Sequence, residues 1–226
     1  MKLVHISDIH LTRPGERMGG LDPHRRFAQA LDEVRNKHQD ADRIIITGDL
    51  THWGEPQAYA ALIDARVDLP CPVRLLMGNH DDRANFLAVF PDQPRDANGY
   101  VNYAEDLRGT RLIYLDTTAP RTHAGHFGAD RVAWLEKHLE RCKRARLFMH
   151  HNVKTLGQPA EDKIALVSDA LLTKSTTCIS AISMRSALVP IAVSPLLPSV
   201  QPAISPCPTS LRPNCCMARP WPPRSQ

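Results

Sequence analysis

The sequence predicts an α/β protein whose strands and helices alternate in layers. Short runs of apolar and β-branched residues are separated by segments in which apolar residues recur at helical spacing. An acidic residue followed by proline marks the start of two of those segments, which is a common helix-start signal. Several of the apolar runs end in Asp, Gly or Asn, which are typical of the loops that follow strands. Alternation of this kind favours a layered α/β fold.

The first half of the chain carries three predicted strands. Their apolar composition defines them as Lys2–Ser7, Arg43–Thr47 and Pro72–Met77. Between the first two, apolar residues at helical spacing predict a helix that starts near Asp22-Pro23. The residues that set this spacing are Phe27, Ala30, Leu31 and Val34. A second helix is expected after Glu55-Pro56, since proline is favoured in the first turn.

The second half of the folded part carries two predicted helices and three predicted strands. The segment Arg83–Phe90 fits a short helix, and Asp130–Cys142 is an amphipathic helix. The inward residues of this amphipathic helix are expected to be Val132, Leu135 and Leu139. The predicted strands of this half are the pair Tyr100–Tyr103 and Arg111–Leu115, and then Arg146–Met149. Beyond about residue 171 no element is predicted, because prolines are too frequent for long helices or central strands.

Composition argues against nucleic-acid-binding, membrane-spanning and secreted disulfide-rich proteins. The 226 residues carry a net charge of +4 without clustering, which argues against a nucleic-acid polymer as partner. The longest apolar stretch, 187–200, is too short to span a bilayer. Residues 1–10 lack the apolar region of a secretory signal, and the six cysteines show no regular spacing. We therefore expect a cytoplasmic protein with neither a membrane nor a nucleic acid as partner, and composition leaves the oligomeric state open.

The composition changes abruptly near residue 170. Residues 1–170 hold all 24 acidic residues, all 11 glycines and all 11 histidines. Residues 171–226 hold none of these, yet contain 10 of the 19 prolines and 4 of the 6 cysteines. We therefore predict a folded domain over 1–170 and a proline-rich tail of foreign composition over 171–226.

Polar residues follow four of the predicted strands at the point where each ends. The sequences are Asp8-Ile9-His10, Gly48-Asp49, Gly78-Asn79-His80-Asp81 and His150-His151. Loops at the carboxyl ends of strands in an α/β sheet converge on one crevice, so these residues are expected to meet. Carboxylate, imidazole and amide ligands of this mixture suit Mn, Fe(II) or Zn rather than Ca. An Asp in the middle of such a set can bridge two cations about 3.5–4 Å apart.

These four motifs resemble those of the calcineurin-like metallophosphoesterases. The segments HISDIHL, TGDLT, GNHDDR and FMHHN are most similar to the class III cyclic-nucleotide and glycerophosphodiester phosphodiesterases. The resemblance covers residues 1 to about 170, with the four motifs in the family's order. It implies a four-layer α/β/β/α sandwich that hydrolyses phosphodiesters at two divalent metal ions, by attack of a metal-bridging hydroxide.

Site roles follow from the resemblance position by position. Asp8 and His10 resemble ligands of one metal ion, Asp49 the bridging carboxylate, and Asn79 and His150 ligands of the second ion. His80 resembles the histidine that contacts the phosphate and protonates the leaving oxygen, and Asp81 would orient it. The expected catalytic residues are therefore His80 and Asp49, and the expected substrate-binding residues are His10, Asp49, Asn79 and His80. The implied cofactors are two ions of Fe, Mn or Zn. The implied substrate is a small molecule, either a cyclic nucleotide such as cAMP or a glycerophosphodiester.

The family's final motif, Gly-His-x-His, is missing, since the sequence has no histidine after His151. Codons for Ser180–Met184 can be chosen so that a reading frame starting at their third bases spells this motif. We therefore hypothesise that the coding sequence shifts frame between about residues 165 and 177. The alternative is a genuine proline-rich tail, which would leave each metal ion one ligand short.

Alternatives to this interpretation remain at the level of the whole chain and of single residues. The chain could be a truncated, inactive relative of the family, or a phosphomonoesterase. Asp8 and Asp49 could be turn residues, and Asp81 could cap the helix that follows it. Among the other histidines, His5 is expected in the core and His151 on the opposite side from His150. His52 and Trp53 follow the Gly48-Asp49 motif and could line the substrate mouth, but an ordinary loop position is favoured for both. His123 and His126 are expected in a loop on the surface.

Overall fold

Two four-stranded sheets form the centre of the fold. The computed structural model describes residues 1–140, 142–153, 157, 159–166, 179–183 and 192–194. The first sheet has the order β3-β2-β1-β8 and the second β4-β5-β6-β7. The strands are β1 Leu3–Ser7, β2 Arg43–Thr47, β3 Val73–Leu76, β4 Tyr103–Leu107, β5 Thr110–Tyr114, β6 Ala145–Met149, β7 Ile179–Ser183 and β8 Ala192–Ser194. The helices are α1 Pro23–Lys37, α2 Pro56–Ala65, α3 Arg83–Val89, α4 Ala129–Leu139 and α5 Pro159–Asp162.

The strands that precede the four polar motifs run parallel within each sheet. In the first sheet β1 pairs with β2 and β2 with β3 in parallel, and β8 adds antiparallel to β1. In the second sheet β4 and β5 form an antiparallel pair, and β5, β6 and β7 are parallel. Parallel strands end at the same edge of a sheet, so the loops after β1, β2 and β3 all lie at one edge.

Side-chain alternation in the second sheet separates two cores. Leu112 and Phe148 face the first sheet and pack in the larger apolar cluster. Their neighbours Ile113 and Leu147 face the other way and pack with Leu135 of α4 in a second cluster. Since α1 and α2 pack with the first sheet, the order of layers is helix, sheet, sheet, helix. The four-layer α/β/β/α sandwich implied by the family resemblance is confirmed.

Most element bounds agree with the sequence patterns, and α1 shows why. The carboxylate of Asp22 accepts a hydrogen bond from the Arg25 amide at 3.0 Å, and Pro23 occupies the first turn, where its missing N–H is not needed. The strand predicted at Tyr100–Tyr103 is wrong, since only Tyr103 of this segment is in a strand. The strand β4 begins only at Tyr103, because the Asp96 side chain accepts from the Tyr100 amide and folds the preceding residues into a loop.

The two strands beyond residue 171 were not predicted. Both β7 and β8 stand at the edge of their sheets. The strand β8 lies between Pro190 and Pro195, which an edge position tolerates, and residues 171–189 around β7 contain no proline. The rest of the predicted tail, 171–226, lies outside the described residues. Among the helices that the structure describes, none is long and apolar enough to cross a membrane.

Candidate metal centre

Polar side chains from both sheets meet around Asp49. The Nε2 atom of His10 lies 3.5 Å from Asp49 Oδ2, and the Nε2 atom of His150 lies 3.5 Å from Asp49 Oδ1. His150 Nε2 is also 2.9 Å from Asn79 Oδ1. The potential ligand atoms of Asp8, His10 and Asp49 lie within 4.8 Å of one another. The predicted convergence of these five residues is therefore confirmed, with His150 arriving from the second sheet.

The backbone is strained where these residues sit. Asp8, His10 and Asp49 have φ angles of 56°, 44° and 42°, in the left-handed region that non-glycine residues rarely occupy. Each such residue costs on the order of 1 kcal/mol or more, and such residues cluster at functional sites. A hydrogen bond of 2.8 Å from the His10 amide to the Asp49 carbonyl ties the two loops together. The hydroxyl of Ser7 donates to the Asp8 carboxylate and orients it.

Two glycines allow the loops to approach this closely. A Cβ atom on Gly48 would lie 1.9 Å from Nδ1 of His150, and one on Gly78 would lie 2.1 Å from the Asp49 amide nitrogen. Gly48 also has a φ of 65°. Glycine is therefore required by space at positions 48 and 78, because any side chain there would displace a site residue.

Asp49 is the electrostatic centre of the cluster. Only 3% of its surface is exposed, and burial by itself would raise the pKa of its carboxyl. The nearby rings of His150, His80 and His10, together with the hydrogen bond from the His80 amide at 2.9 Å, outweigh burial and lower this pKa below its usual value. Burial in turn lowers the pKa of His10 to about 4. Asp49 is thus an anion beside a neutral imidazole, which is the state that metal binding requires of both groups.

The two roles expected of Asp81 are wrong. The residue that caps α3 is Asp82, whose side chain accepts from the Asn85 amide at 3.0 Å. Asp81 does not orient His80. Its carboxylate accepts five hydrogen bonds of 2.8–3.2 Å, and the donors are the amides of Leu50, Thr51 and Gly78 and the hydroxyls of Thr51 and Tyr59. Burial and the charge of Asp49 raise the pKa of Asp81 to about 6. Asp81 therefore joins the loop after β2 to the loop after β3.

Two histidines assigned to loop and surface positions border the cluster. His52 Nδ1 lies 3.3 Å from His10 Nδ1, and the His52 ring stacks on His80 with centroids 5.1 Å apart. His123 is exposed as expected, yet its Nδ1 accepts from the Asn79 amide group at 2.7 Å. The residues next to His52 in sequence do not predict this position. The β1–β2 pairing continues past the strands through a parallel bridge between Leu11 and Thr51, which carries His52 alongside His10.

The other histidine predictions agree with the structure. His5 is buried and its Nε2 lies 2.6 Å from the Thr47 hydroxyl. His151 turns away from Asp49, with Nδ1 2.7 Å from the Thr117 hydroxyl and Nε2 3.1 Å from the His123 carbonyl. His126 lies on the surface.

The donor set fits divalent transition metals. It combines two carboxylates, two imidazoles and an amide oxygen, which is the mixture of hard and borderline ligands that Mn, Fe(II) and Zn accept. The carboxylate at the centre presents one oxygen to each half of the set. The site is thus a candidate carboxylate–histidine metal site at the edge of an α/β sandwich.

Comparisons with known proteins define the class. The family model for calcineurin-like phosphoesterases matches residues 1–172, so the chain belongs to this family. Its members use a dinuclear centre of divalent metal ions, and the structure brings candidate His and Asp ligand groups of this chain together. The family match ends two residues beyond the point where the composition changes.

Two relatives resemble the same part of the chain. A protein of Rhodopseudomonas palustris, named a probable cyclic nucleotide phosphodiesterase, is 38% identical over 173 residues, which are 74% of this chain and 63% of the relative. The glycerophosphodiester phosphodiesterase GpdQ of Enterobacter lignolyticus is 31% identical over 172 residues, or 73% of this chain and 62% of the relative. The chain thus spans somewhat less than two thirds of either relative.

A solved structure supports the fold alone. The purple acid phosphatase of yellow lupin superposes with a TM-score of 0.50 at 12% sequence identity, over 75% of this chain and 34% of the phosphatase.

Proposed function

We propose that the chain is a phosphodiesterase that hydrolyses a cyclic nucleotide or a small glycerophosphodiester with two divalent metal ions. The observation that carries this proposal is the placement of Asp49, whose Oδ2 faces His10 and whose Oδ1 faces His150. A buried carboxylate with one oxygen directed to each of two histidines is suited to hold two cations side by side. The names of the two relatives support the choice of diester substrates.

Each half of the site supplies one set of ligands. Asp8 and His10 would hold one ion together with Oδ2 of Asp49. Asn79 and His150 would hold the other together with Oδ1 of Asp49. Fe, Mn and Zn all suit this mixture of ligands. When bound, two such ions would neutralise the phosphate charge and acidify a water molecule for attack on phosphorus.

The chain's own residues would position the diester and move the proton. Asn79 and His80, both on the loop after β3, lie beside Asp49 and within reach of a phosphate held there. The Nδ1–H of His80 donates to the His52 carbonyl at 3.0 Å, so Nε2 is the nitrogen left for chemistry. Protonated at Nε2, the His80 ring would donate to the leaving oxygen.

Hydrolysis of bis(p-nitrophenyl) phosphate with added Mn²⁺ tests the proposal. We expect turnover by the full chain, its loss in Asp49→Asn, and its retention in Asp92→Asn, which removes an exposed carboxylate outside the site. Equal turnover in Asp49→Asn and the parent would contradict the proposal.

The absence of any histidine after His151 favours a second candidate, an inactive family member. This candidate predicts no turnover with any of Mn²⁺, Fe²⁺ or Zn²⁺. Faster hydrolysis of p-nitrophenyl phosphate than of its diester would instead indicate a phosphomonoesterase.

A further inference from the structure

We propose that His52 is a positioning residue that fixes which ring nitrogen of His10 and of His80 is available to the metal ions and the phosphate. The proposal deepens the function proposed above and rests on it. His52 contacts the Nδ1 atom of both rings. The Nε2 atom of each ring is therefore the one left to bind a metal ion or the phosphate.

The contact with His80 is made by the backbone of His52. A carbonyl oxygen accepts and never donates, so the 3.0 Å contact requires a proton on Nδ1 of His80. The near-parallel stacking of the two rings, with an interplanar angle of 18°, holds this arrangement. The lone pair of neutral His80 is therefore on Nε2.

The contact with His10 is made by the His52 ring. The two Nδ1 atoms are 3.3 Å apart, and this contact is a hydrogen bond only when one of the two nitrogens carries the proton. Nε2 of His10 is the atom that faces Asp49. Because a metal ligand needs its lone pair, the proton of His10 must lie on Nδ1, from which it is donated to His52.

The backbone holds His52 in place for this role. Its amide donates to the Leu11 carbonyl at 2.8 Å, next to the bridge between Leu11 and Thr51. On its outer side the ring contacts Trp53, with centroids 4.3 Å apart. The loop after β2 and the contact with Trp53 therefore hold His52 beside His10.

A ligand role for His52 is the competing interpretation. One ligand atom from each of His10, His52 and His80 lies within 4.8 Å of the others, so the three could hold an ion. In the observed arrangement, however, Nδ1 of His52 contacts Nδ1 of His10, and Nδ1 of His80 contacts the His52 carbonyl, so these atoms are already engaged with one another. Positioning is thus the interpretation that the contacts favour.

Long-range ¹H–¹⁵N spectra of the ¹⁵N-labelled, metal-free chain test the proposal. In the parent we expect both His10 and His80 with the proton on Nδ1. In His52→Leu we expect His10 to lose this preference, while His80 keeps it because the backbone carbonyl of residue 52 remains. In His52→Asn, whose side-chain oxygen can accept, we expect His10 to return towards the parent state. An unchanged His10 tautomer in His52→Leu overturns the proposal.

Calorimetric titration with Mn²⁺ separates positioning from ligation. We expect the affinity to fall about 10- to 100-fold in His52→Leu at unchanged stoichiometry, and to recover in His52→Asn. Loss of one equivalent of metal with unchanged affinity for the rest identifies a ligand and overturns the proposal. His138→Asn, on α4, serves as the control for removal of a histidine. The spectra decide the matter even for a chain without turnover, so failure of the proposed function is distinguishable from failure of this inference.

Discussion

Nε2 of His150 lies 3.5 Å from Oδ1 of Asp49, although His150 follows a strand of the second sheet and Asp49 a strand of the first. The site therefore exists only while the two sheets are packed against each other. Any change that alters this packing is expected to affect metal binding, even when it leaves every ligand in place.

Gly48→Ala is expected to damage the site through His150. The added Cβ would lie 1.9 Å from His150 Nδ1 at a φ of 65°, so the ring must move. We expect a loss of about 1–3 kcal/mol in the free energy of unfolding, from strain and overpacking, together with weaker Mn²⁺ binding. Urea denaturation and calorimetry measure the two effects. Gly15→Ala is the matched control, since Gly15 has a φ of 87° and nothing within 4 Å. Equal losses in the two variants would refute the role of close packing.

Asp81→Asn is expected to destabilise the fold without removing a ligand. Five donors converge on the carboxylate, and an amide group would direct its own N–H atoms at some of them. At pH 7.5 we expect a loss of about 2–3 kcal/mol in the free energy of unfolding. Asp82→Asn should change little, because Asn and Asp are equivalent helix caps. A similar thermal midpoint for both variants would contradict the role of Asp81 in joining the two loops.

Stability is expected to fall with acidification because buried histidines resist protonation. Burial lowers the pKa of His5 and of His151 to about 4 from an ordinary value of 6.5. Between pH 6.5 and 4 the unfolded chain therefore binds more protons than the folded one, so stability declines as pH falls through this window. The full effect is about 3 kcal/mol for each group. Urea titrations from pH 4 to 8 should show a shallower decline in His5→Gln. An identical slope would contradict the assignment.

Trp53→Ala is expected to weaken the binding of a cyclic nucleotide but not of a glycerophosphodiester. The indole is 53% exposed and contacts His52 at the border of the cluster, so it is available to stack on a base. Loss of stacking worth about 1–3 kcal/mol would raise the KM for cAMP roughly 10-fold or more. The KM for a glycerophosphodiester should hardly change. Val67→Ala, another exposed apolar residue, is the control. Equal effects on both substrates would exclude base stacking.

The reading-frame hypothesis makes a prediction about the end of β7. Parallel pairing places Ser183 opposite Met149, so the residues there lie beside the strand end that carries His150. The displaced frame of Ser180–Met184 can encode Gly-His-x-His at this position. We expect sequencing of the DNA from codon 145 onward to show one or two bases missing or extra. An intact frame would leave the site short of two ligands and favour the inactive candidate.

Much of the fold could be predicted because local patterns agree with the tertiary structure. The bounds of β2 and the start of α1 follow directly from a β-branched run and from an Asp-Pro cap. The site could be predicted because its ligands follow strands whose carboxyl ends share an edge. Each motif is local in sequence, and the four motifs occur in the order typical of the family.

Other features depend on partners that are distant in sequence. Arg131 lies in the amphipathic helix α4, and arginine is usually exposed, yet only 1% of this residue is exposed. Its guanidinium donates to the Asp116 carbonyl at 2.8 Å and lies 4.1 Å from the centre of the Tyr100 ring. His52 was likewise assigned to a loop, because its role depends on the register of two loops rather than on its own neighbours.

The carboxylate of Asp81 has a consequence for how the site opens. The amides of Leu50, Thr51 and Gly78 all end on this one group, so none of them is released alone when the carboxylate moves away. Hydrogen exchange at these three amides should therefore follow a single opening event with a common rate. Two motifs some thirty positions apart in sequence would then behave as one cooperative unit.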